Sequence, residues 1–233
     1  MAHDDKMSRR RFLGVAGLTI AGSFLATANR PASAEPESRP PLSKDALGKL
    51  QSGNRRFSTL QLRREDFLED RRNAMEHRVH PYAAVLCCAD TRVSPEIVFD
   101  EGLNDLFVVR NAGNVASTSV LGSFEYSVLA LGINLVLVLG HEDCGAVKAA
   151  INTGDQPSDE EDYFETLIKP IGQAVDRARR LPGDMLDNAV RENVRVMMEK
   201  VRSASFIKRA GRPITVAGGI YRLKTGTVEF LHV

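Results

Sequence analysis

Five short apolar runs follow residue 80, and most of the stretches between them carry apolar residues at helical spacing. The runs at 82–88, 105–110, 135–139, 214–217 and 227–231 predict strands, the last two joined by a glycine-rich turn. Strands that are apolar at nearly every position are typical of a parallel sheet with both faces covered. The pattern therefore predicts a buried, mostly parallel sheet.

Helices are predicted both before this series of strands and between its members. The predicted helices are 43–57, 63–78, 95–100, 117–131, 145–151, 163–180 and 185–203, with a polar, acidic loop at 154–162. Strand and helix alternation of this kind favours an α/β fold: a mostly parallel central β-sheet flanked by helices, with an N-terminal helical arm. We predict one such domain at 43–233, with its site at the carboxyl ends of the strands.

The first 42 residues have the pattern of an export signal and do not belong to the predicted α/β domain. Ser8-Arg9-Arg10-Arg11-Phe12-Leu13 has the twin-arginine form, a mostly apolar stretch follows at 14–28, and Ala32-Ser33-Ala34 has the form of a cleavage site. We predict a twin-arginine signal peptide at 1–34, a flexible leader at 35–42, and a periplasmic location. The alternatives are an uncleaved anchor and a chance basic-apolar start.

Composition narrows the range of partners. The chain is 43% hydrophobic with a formal net charge of +1, and it has no Trp. This gives no electrostatic reason to expect a nucleic-acid partner. The apolar stretch at 14–28 is short for a membrane span, so no stable span is expected once the signal is removed.

Two segments carry the candidate chemistry. Cys88-Ala89-Asp90-Thr91-Arg92 and Gly140-His141-Glu142-Asp143-Cys144-Gly145 each follow a predicted strand. Two thiolates and an imidazole, from Cys88, Cys144 and His141, suit tetrahedral zinc, and the fourth position would belong to water or to Asp90. Side chains alternate along a strand, so Cys88 would face this site while the adjacent Cys87 packs into the core.

The chain resembles the β-class carbonic anhydrases through these two segments and several others. The further matching stretches are Gly53-Asn54-Arg55-Arg56-Phe57, Ser94-Pro95-Glu96, Phe107-Val108-Val109-Arg110-Asn111-Ala112-Gly113-Asn114, Gly145-Ala146-Val147-Lys148-Ala149-Ala150, Gly219-Ile220-Tyr221 and Thr225-Gly226. The resemblance covers about residues 43 to 231, which is nearly all of the predicted mature chain.

The resemblance implies one Zn²⁺ per subunit held by Cys88, His141 and Cys144, with Asp90 and Arg92 as the catalytic pair. It implies reversible hydration of carbon dioxide to bicarbonate and a proton. In a closed state, Asp90 would replace water as the fourth ligand. It also implies a homodimer or higher homo-oligomer, and the helix that begins at Ser43 fits the arm that reaches onto the neighbouring subunit.

The chain departs from the family pattern in two places. Many members carry Gln where this chain has Val79 before His80-Pro81, and we expect His80 to be exposed or structural. One subgroup has a regulatory bicarbonate pocket built with a Trp, and this chain has no Trp, so we do not expect that pocket and expect Arg110 to be structural. Three alternatives remain: a carbonyl sulfide or carbon disulfide hydrolase, a non-catalytic zinc-binding protein, and a purely structural Asp90–Arg92 ion pair.

Overall fold

A computed structural model describes residues 43–63, 71, 79–153 and 163–231 of the chain. The predicted signal peptide at 1–34, the leader at 35–42, nearly all of the predicted helix at 63–78 and the acidic loop at 154–162 lie outside the described residues. Those features stay predictions.

Within the described residues, one sheet organises the fold. Its strands are β1 (Ala83–Cys88), β2 (Leu106–Asn111), β3 (Leu135–His141), β4 (Thr215–Tyr221) and β5 (Val228–Leu231). Their order across the sheet is β2-β1-β3-β4-β5. The first four are parallel, and β5 runs antiparallel to β4. The expected mostly parallel sheet is confirmed.

Helices pack against both faces of this sheet. They are α1 (Ser43–Ser58), α2 (Pro95–Val98), α3 (Thr118–Leu129), α4 (Gly145–Thr153), α5 (Glu165–Ala178), α6 (Met185–Ser203) and α7 (Ser205–Arg209). Helix α6 begins after Asp184, whose carboxylate accepts the Asp187 N–H at 2.7 Å, as an N-cap should. In the described part of the chain, no helix is long and apolar enough to cross a bilayer.

The two faces of the sheet belong to two separate apolar clusters. Cys88 belongs to the cluster that includes residues of α3 to α6, whereas Cys87 belongs to the one that includes residues of α1 and α2. This division follows from the alternation of side chains along β1. The prediction for Cys87 is confirmed: its side chain is fully buried, and burial raises the pKa of its thiol to about 12.

The predicted turn before β5 exists but is less rich in glycine than expected: Gly226, with φ of 72°, lies between the two strands, whereas Gly218 and Gly219 lie inside β4. A Cβ on Gly218 would lie 2.8 Å from Val194 Cγ1, and one on Gly219 would lie 2.9 Å from Val228 Cγ1. The glycines therefore allow α6 and β5 to pack closely on this strand. Such close packing is a long-range requirement that local turn chemistry does not reveal.

Helix α1 is fastened to its own chain. The Asn54 side chain donates to the carbonyl oxygens of Val98 and Gly226 at 3.1 and 2.9 Å and accepts the Val228 N–H at 2.7 Å. Ala46 and Leu50 on the same helix are fully buried within the chain. This part of α1 therefore packs inside its own chain, and a contact of α1 with a neighbouring subunit stays a prediction.

Candidate metal centre

The site forms where the carboxyl ends of β1, β2 and β3 meet. Cys88 ends β1 and pairs with Asn111, the last residue of β2, while His141 ends β3 on the other side of β1. Cys144 follows His141 by three residues and immediately precedes α4. Parallel strands bring their carboxyl ends to one edge, so residues distant in sequence become neighbours here.

The three predicted ligands lie together. The potential ligand atoms of Cys88, His141 and Cys144 are all within 4.8 Å of one another, and all three residues are buried. Two thiolates and one imidazole form a three-residue ligand set for zinc that leaves the fourth position open.

The state of His141 fits a metal ligand. Its Nδ1 lies 2.9 Å from the Glu142 carbonyl oxygen, which can only accept, so Nδ1 carries the proton. Its Nε2 then presents a lone pair. Nε2 is completely buried and has no hydrogen-bond partner among the described residues. An orphaned imidazole nitrogen facing two thiols is costly to bury unless a metal binds it.

The surroundings of the two sulfurs shift their pKa values in opposite directions. The pKa of Cys88 is lowered, first because the Cys144 thiol donates a hydrogen bond to it, and also by the Gly113 N–H at 3.4 Å. The pKa of Cys144 is raised by that shared proton and by burial, although the Ala146 and Val147 N–H groups favour its thiolate. Metal ligation requires both thiols to be ionised.

Asp90 lies beside the ligand atoms and is held by Arg92. The Arg92 guanidinium donates to both carboxylate oxygens, with Nε 2.9 Å from Oδ1 and Nη2 2.7 Å from Oδ2. The Arg92 backbone N–H also donates to Oδ1 at 2.9 Å. These hydrogen bonds keep the pKa of Asp90 well below its usual range. Asp90 Oδ2 lies 4.0 Å from His141 Nε2, so the carboxylate borders the ligand cluster.

Two further charged residues join this pair. Asp143 Oδ2 lies 3.7 Å from Arg92 Nη1, and Asp143 also forms an ion pair with Lys148 of α4. Neither residue has a role predicted from the sequence. Asp143 has a left-handed backbone, with φ of 62°. The position of Asp143 between the predicted ligands His141 and Cys144 is the sequence signal that could have identified it as a site residue.

The loop after β2 forms another wall of the site. The Asn111 side chain donates to the Val115 carbonyl oxygen and accepts the Val115 N–H, both at 2.7 Å. Gly113 has φ of +74°, and a Cβ there would lie 2.7 Å from Ile171. Asn111 therefore closes the turn, while Gly113 brings its N–H to the Cys88 sulfur.

Arg110 and His80 have the structural positions expected of them. Arg110 donates from Nε to the Cys88 carbonyl oxygen at 3.2 Å and from Nη2 to that of Asp90 at 2.8 Å. It thereby holds the backbone on which Cys88 and Asp90 lie. His80 is exposed, and its backbone N–H donates to Asn104.

The comparisons with known proteins agree with this geometry. A family model described as carbonic anhydrase matches residues 83–228. Carbonic anhydrase 2 of Mycobacterium tuberculosis is 37% identical over 185 residues, covering 76% of this chain and 87% of the relative. The carbonic anhydrase of Mycolicibacterium smegmatis is 34% identical over 183 residues, with 77% and 89% covered.

Solved structures give the same result. A Coccomyxa beta-carbonic anhydrase in complex with acetazolamide has a TM-score of 0.64 at 28% identity, covering 79% of this chain and 86% of that one. The beta-carbonic anhydrase CcaA has a TM-score of 0.59 at 26% identity, with 81% and 92% covered. The chain therefore belongs to the carbonic anhydrase family of enzymes, in its beta class. The enzymes of this class use zinc, for which Cys88, His141 and Cys144 are grouped as possible ligands.

Proposed function

We propose that this chain catalyses the reversible hydration of carbon dioxide to bicarbonate and a proton, with Asp90 and Arg92 as its catalytic pair. The observation that carries the proposal is the carboxylate of Asp90 beside the three ligand atoms, held by Arg92. When bound, zinc lowers the pKa of a coordinated water toward about 7, which makes a nucleophile available near neutral pH.

The proposed role of Asp90 is to orient the attacking water. Because Arg92 keeps its carboxylate ionised, Asp90 accepts a hydrogen bond and does not donate one. A carboxylate beside the ligand cluster would accept a hydrogen bond from the attacking water and so turn a lone pair of that water toward the substrate carbon. Bicarbonate would then leave, another water would enter, and the proton released in the reaction would pass to solvent.

Arg92 determines where Asp90 points. A bidentate guanidinium fixes both oxygens of the carboxylate, which a single point charge would not do. With both oxygens engaged, Asp90 stays off the fourth position. If this pair opens, Asp90 can approach the ligand cluster and become the fourth ligand of the closed state. The ion pair thus separates an open site from a closed one.

The direct test measures carbon dioxide hydration by the purified chain, together with its zinc content. We expect stopped-flow hydration activity from protein that holds about one zinc per subunit. Zinc-loaded protein without this activity would contradict the proposal. Hydrolysis of carbonyl sulfide or carbon disulfide by such protein would identify a hydrolase, and inactivity toward all three substrates would identify a zinc-binding protein.

The role of Asp90 is tested by Asp90→Asn. The amide keeps the size of the carboxylate but loses its charge, so zinc should be retained while hydration falls by about 10²-fold or more. The measurement pairs metal analysis with stopped-flow hydration. Hydration at the wild-type rate by zinc-replete Asp90→Asn would remove Asp90 from the mechanism and leave a structural ion pair.

We also propose that the chain is exported to the periplasm by the twin-arginine route. The support is the Ser8–Leu13 segment with the following apolar stretch and Ala32-Ser33-Ala34. Replacing both Arg9 and Arg10 by Lys should leave active precursor in the cytoplasm. Arg11→Lys, which spares the pair, is the matched control. Normal periplasmic levels of the double variant would contradict the proposal.

Self-association into a homodimer or larger homo-oligomer is a further part of the proposal. Leu106, Phe107, Val108 and Val109 of β2 are only partly buried in the single chain, although every residue of β3 is buried. An edge strand that leaves apolar side chains partly exposed is a surface that a partner can cover. Light scattering on the purified chain would test this, and a monomer at working concentration would contradict it.

A further inference from the structure

Helix α6 holds the loop beside the metal ligands at two points, one helical turn apart. Asn193 Nδ2 donates to the Gly113 carbonyl oxygen at 2.9 Å, and the Ala116 N–H donates to Met197 Sδ at 3.2 Å. Residues four apart lie on the same face of a helix. The loop from Ala112 to Ala116 is therefore fixed to α6 from one side.

The same loop contacts a ligand sulfur. The Gly113 N–H donates to Cys88 Sγ at 3.4 Å, and this hydrogen bond is buried. Gly113 thus accepts a hydrogen bond from Asn193 with its carbonyl oxygen and donates one to Cys88 with its N–H. Its left-handed backbone, with φ of +74°, allows the two groups to take these directions. A change in how the carbonyl is held therefore moves the N–H that contacts the sulfur.

We propose that Asn193 is a positioning residue for the metal centre, acting through Gly113 on the Cys88 sulfur. This inference rests on the proposed function, because it requires Cys88 to be a metal ligand. Asn193 does not belong to the ligand set or to the Asp90–Arg92 pair. It acts on the strength with which one sulfur donates to the metal.

The burial of Asn193 argues that packing alone does not explain this residue. Asn193 is only 1% exposed, and Ala189 and Met197, which lie one helical turn to either side of it, are fully buried. Its Oδ1 is buried without a hydrogen-bond partner among the described residues. A buried polar atom without a partner lowers stability. The amide is therefore present at a cost, and its donor group has one use in the described structure: the Gly113 carbonyl oxygen.

The expected consequence concerns the strength of metal binding. A thiolate that accepts an N–H hydrogen bond keeps its charge stabilised and its direction fixed. Groups that orient metal ligands from outside the ligand set typically change metal affinity by about 10–100-fold when removed. Loss of the Asn193 donor should loosen Gly113 and weaken this hydrogen bond to Cys88.

The test compares Asn193→Asp with the wild-type chain. Aspartate keeps the shape of asparagine but replaces the donor with an oxygen that repels the Gly113 carbonyl. We expect release of zinc to a chelator to become at least about 10-fold faster. In the cobalt-substituted protein, we expect the thiolate-to-cobalt absorption band to move to longer wavelength, because the sulfur loses its hydrogen bond.

Two further variants make the result decisive. Asn193→Leu removes both the donor and the unpartnered acceptor, so it tests the same hydrogen bond if the aspartate variant fails to fold. Val201→Ala is the matched control, because Val201 is fully buried on the same helix and lies two turns beyond Asn193. It should lower thermal stability but leave zinc release and the cobalt band unchanged.

The outcomes separate this inference from the proposed function. Wild-type zinc release and an unshifted band in the folded Asn193 variants would overturn the inference alone. If zinc release from Val201→Ala were as fast as release from the Asn193 variants, the inference would also be wrong. General loosening of α6 would then explain the faster release. A wild-type chain without a thiolate-to-cobalt band would instead remove the metal site itself.

Discussion

The candidate metal centre has two parts with opposite surroundings. The three ligand residues lie at strand ends and are almost inaccessible, with Cys88 at 5%, His141 at 0% and Cys144 at 1% exposure. Beside them, Arg92, Asp143 and Lys148 form a charged rim whose side chains are about half exposed. Asp90 lies between the two parts and contacts both.

This difference shows how the work of the site is divided. The ligands are held by the sheet and by backbone groups, since the Glu142 carbonyl and the Gly113 N–H orient His141 and Cys88. The rim is held by ion pairs between long, exposed side chains, which are individually weak and sensitive to salt. We therefore expect the buried part to determine whether metal binds and the rim to tune the activity of the metal-bound site.

The largest expected effect comes from the buried part. Cys144→Ser should lower zinc affinity by more than about 100-fold, because it removes a ligand and not merely a group that orients one. Inductively coupled plasma analysis of dialysed protein would measure this. Cys87→Ala is the matched control, because Cys87 faces the opposite side of the sheet. If Cys87→Ala lost zinc and Cys144→Ser kept it, the assignment of faces would be wrong.

A smaller effect is expected where the two parts meet. Arg92→Ala should keep zinc but lower hydration by about 10-fold to 10²-fold, because Asp90 loses the group that fixes its direction. Arg92→Lys keeps the charge but loses the bidentate hydrogen bonding, so its hydration activity should lie between that of Arg92→Ala and that of the wild type. Stopped-flow hydration at equal zinc content would measure both. Equal activity of Arg92→Lys and the wild type would show that charge alone suffices.

The smallest effect is expected at the outer rim. Lys148→Met removes the ion pair with Asp143 and should lower hydration by less than about five-fold, because exposed pairs contribute little. The difference from the wild type should shrink as salt is added, since screening already weakens the pair. A loss as large as that of Arg92→Ala would mean that the rim, and not Asp90 alone, controls the site.

Much of this division could be predicted from local sequence. Apolar runs located the strands, and the two segments at the carboxyl ends of β1 and β3 supplied Cys88, Asp90, Arg92, His141 and Cys144. Period-two alternation correctly placed Cys87 and Cys88 on opposite faces. Each of these inferences needs only near neighbours along the chain.

Other features could not be predicted because they depend on contacts between distant segments. The glycine pair of β4 had the composition of a turn, and only the packing of α6 and β5 shows why it lies in a strand. Asn193 had no local signal at all, since its partner Gly113 precedes it by 80 residues. The apolar face of α1 carried no information about which chain it would pack against.

The sequence by itself determined the strands, the ligand types and their positions at strand ends, because these depend on periodicity and on the chemistry of single side chains. Tertiary structure alone decided that β1 and β3 lie side by side, which brings His141 and Cys144 next to Cys88. It also decided that Arg92 has a second partner in Asp143 and that α6 supports the Gly113 loop. The physical reason is that burial and hydrogen bonding join residues by distance in space, whereas a sequence pattern reports only distance along the chain.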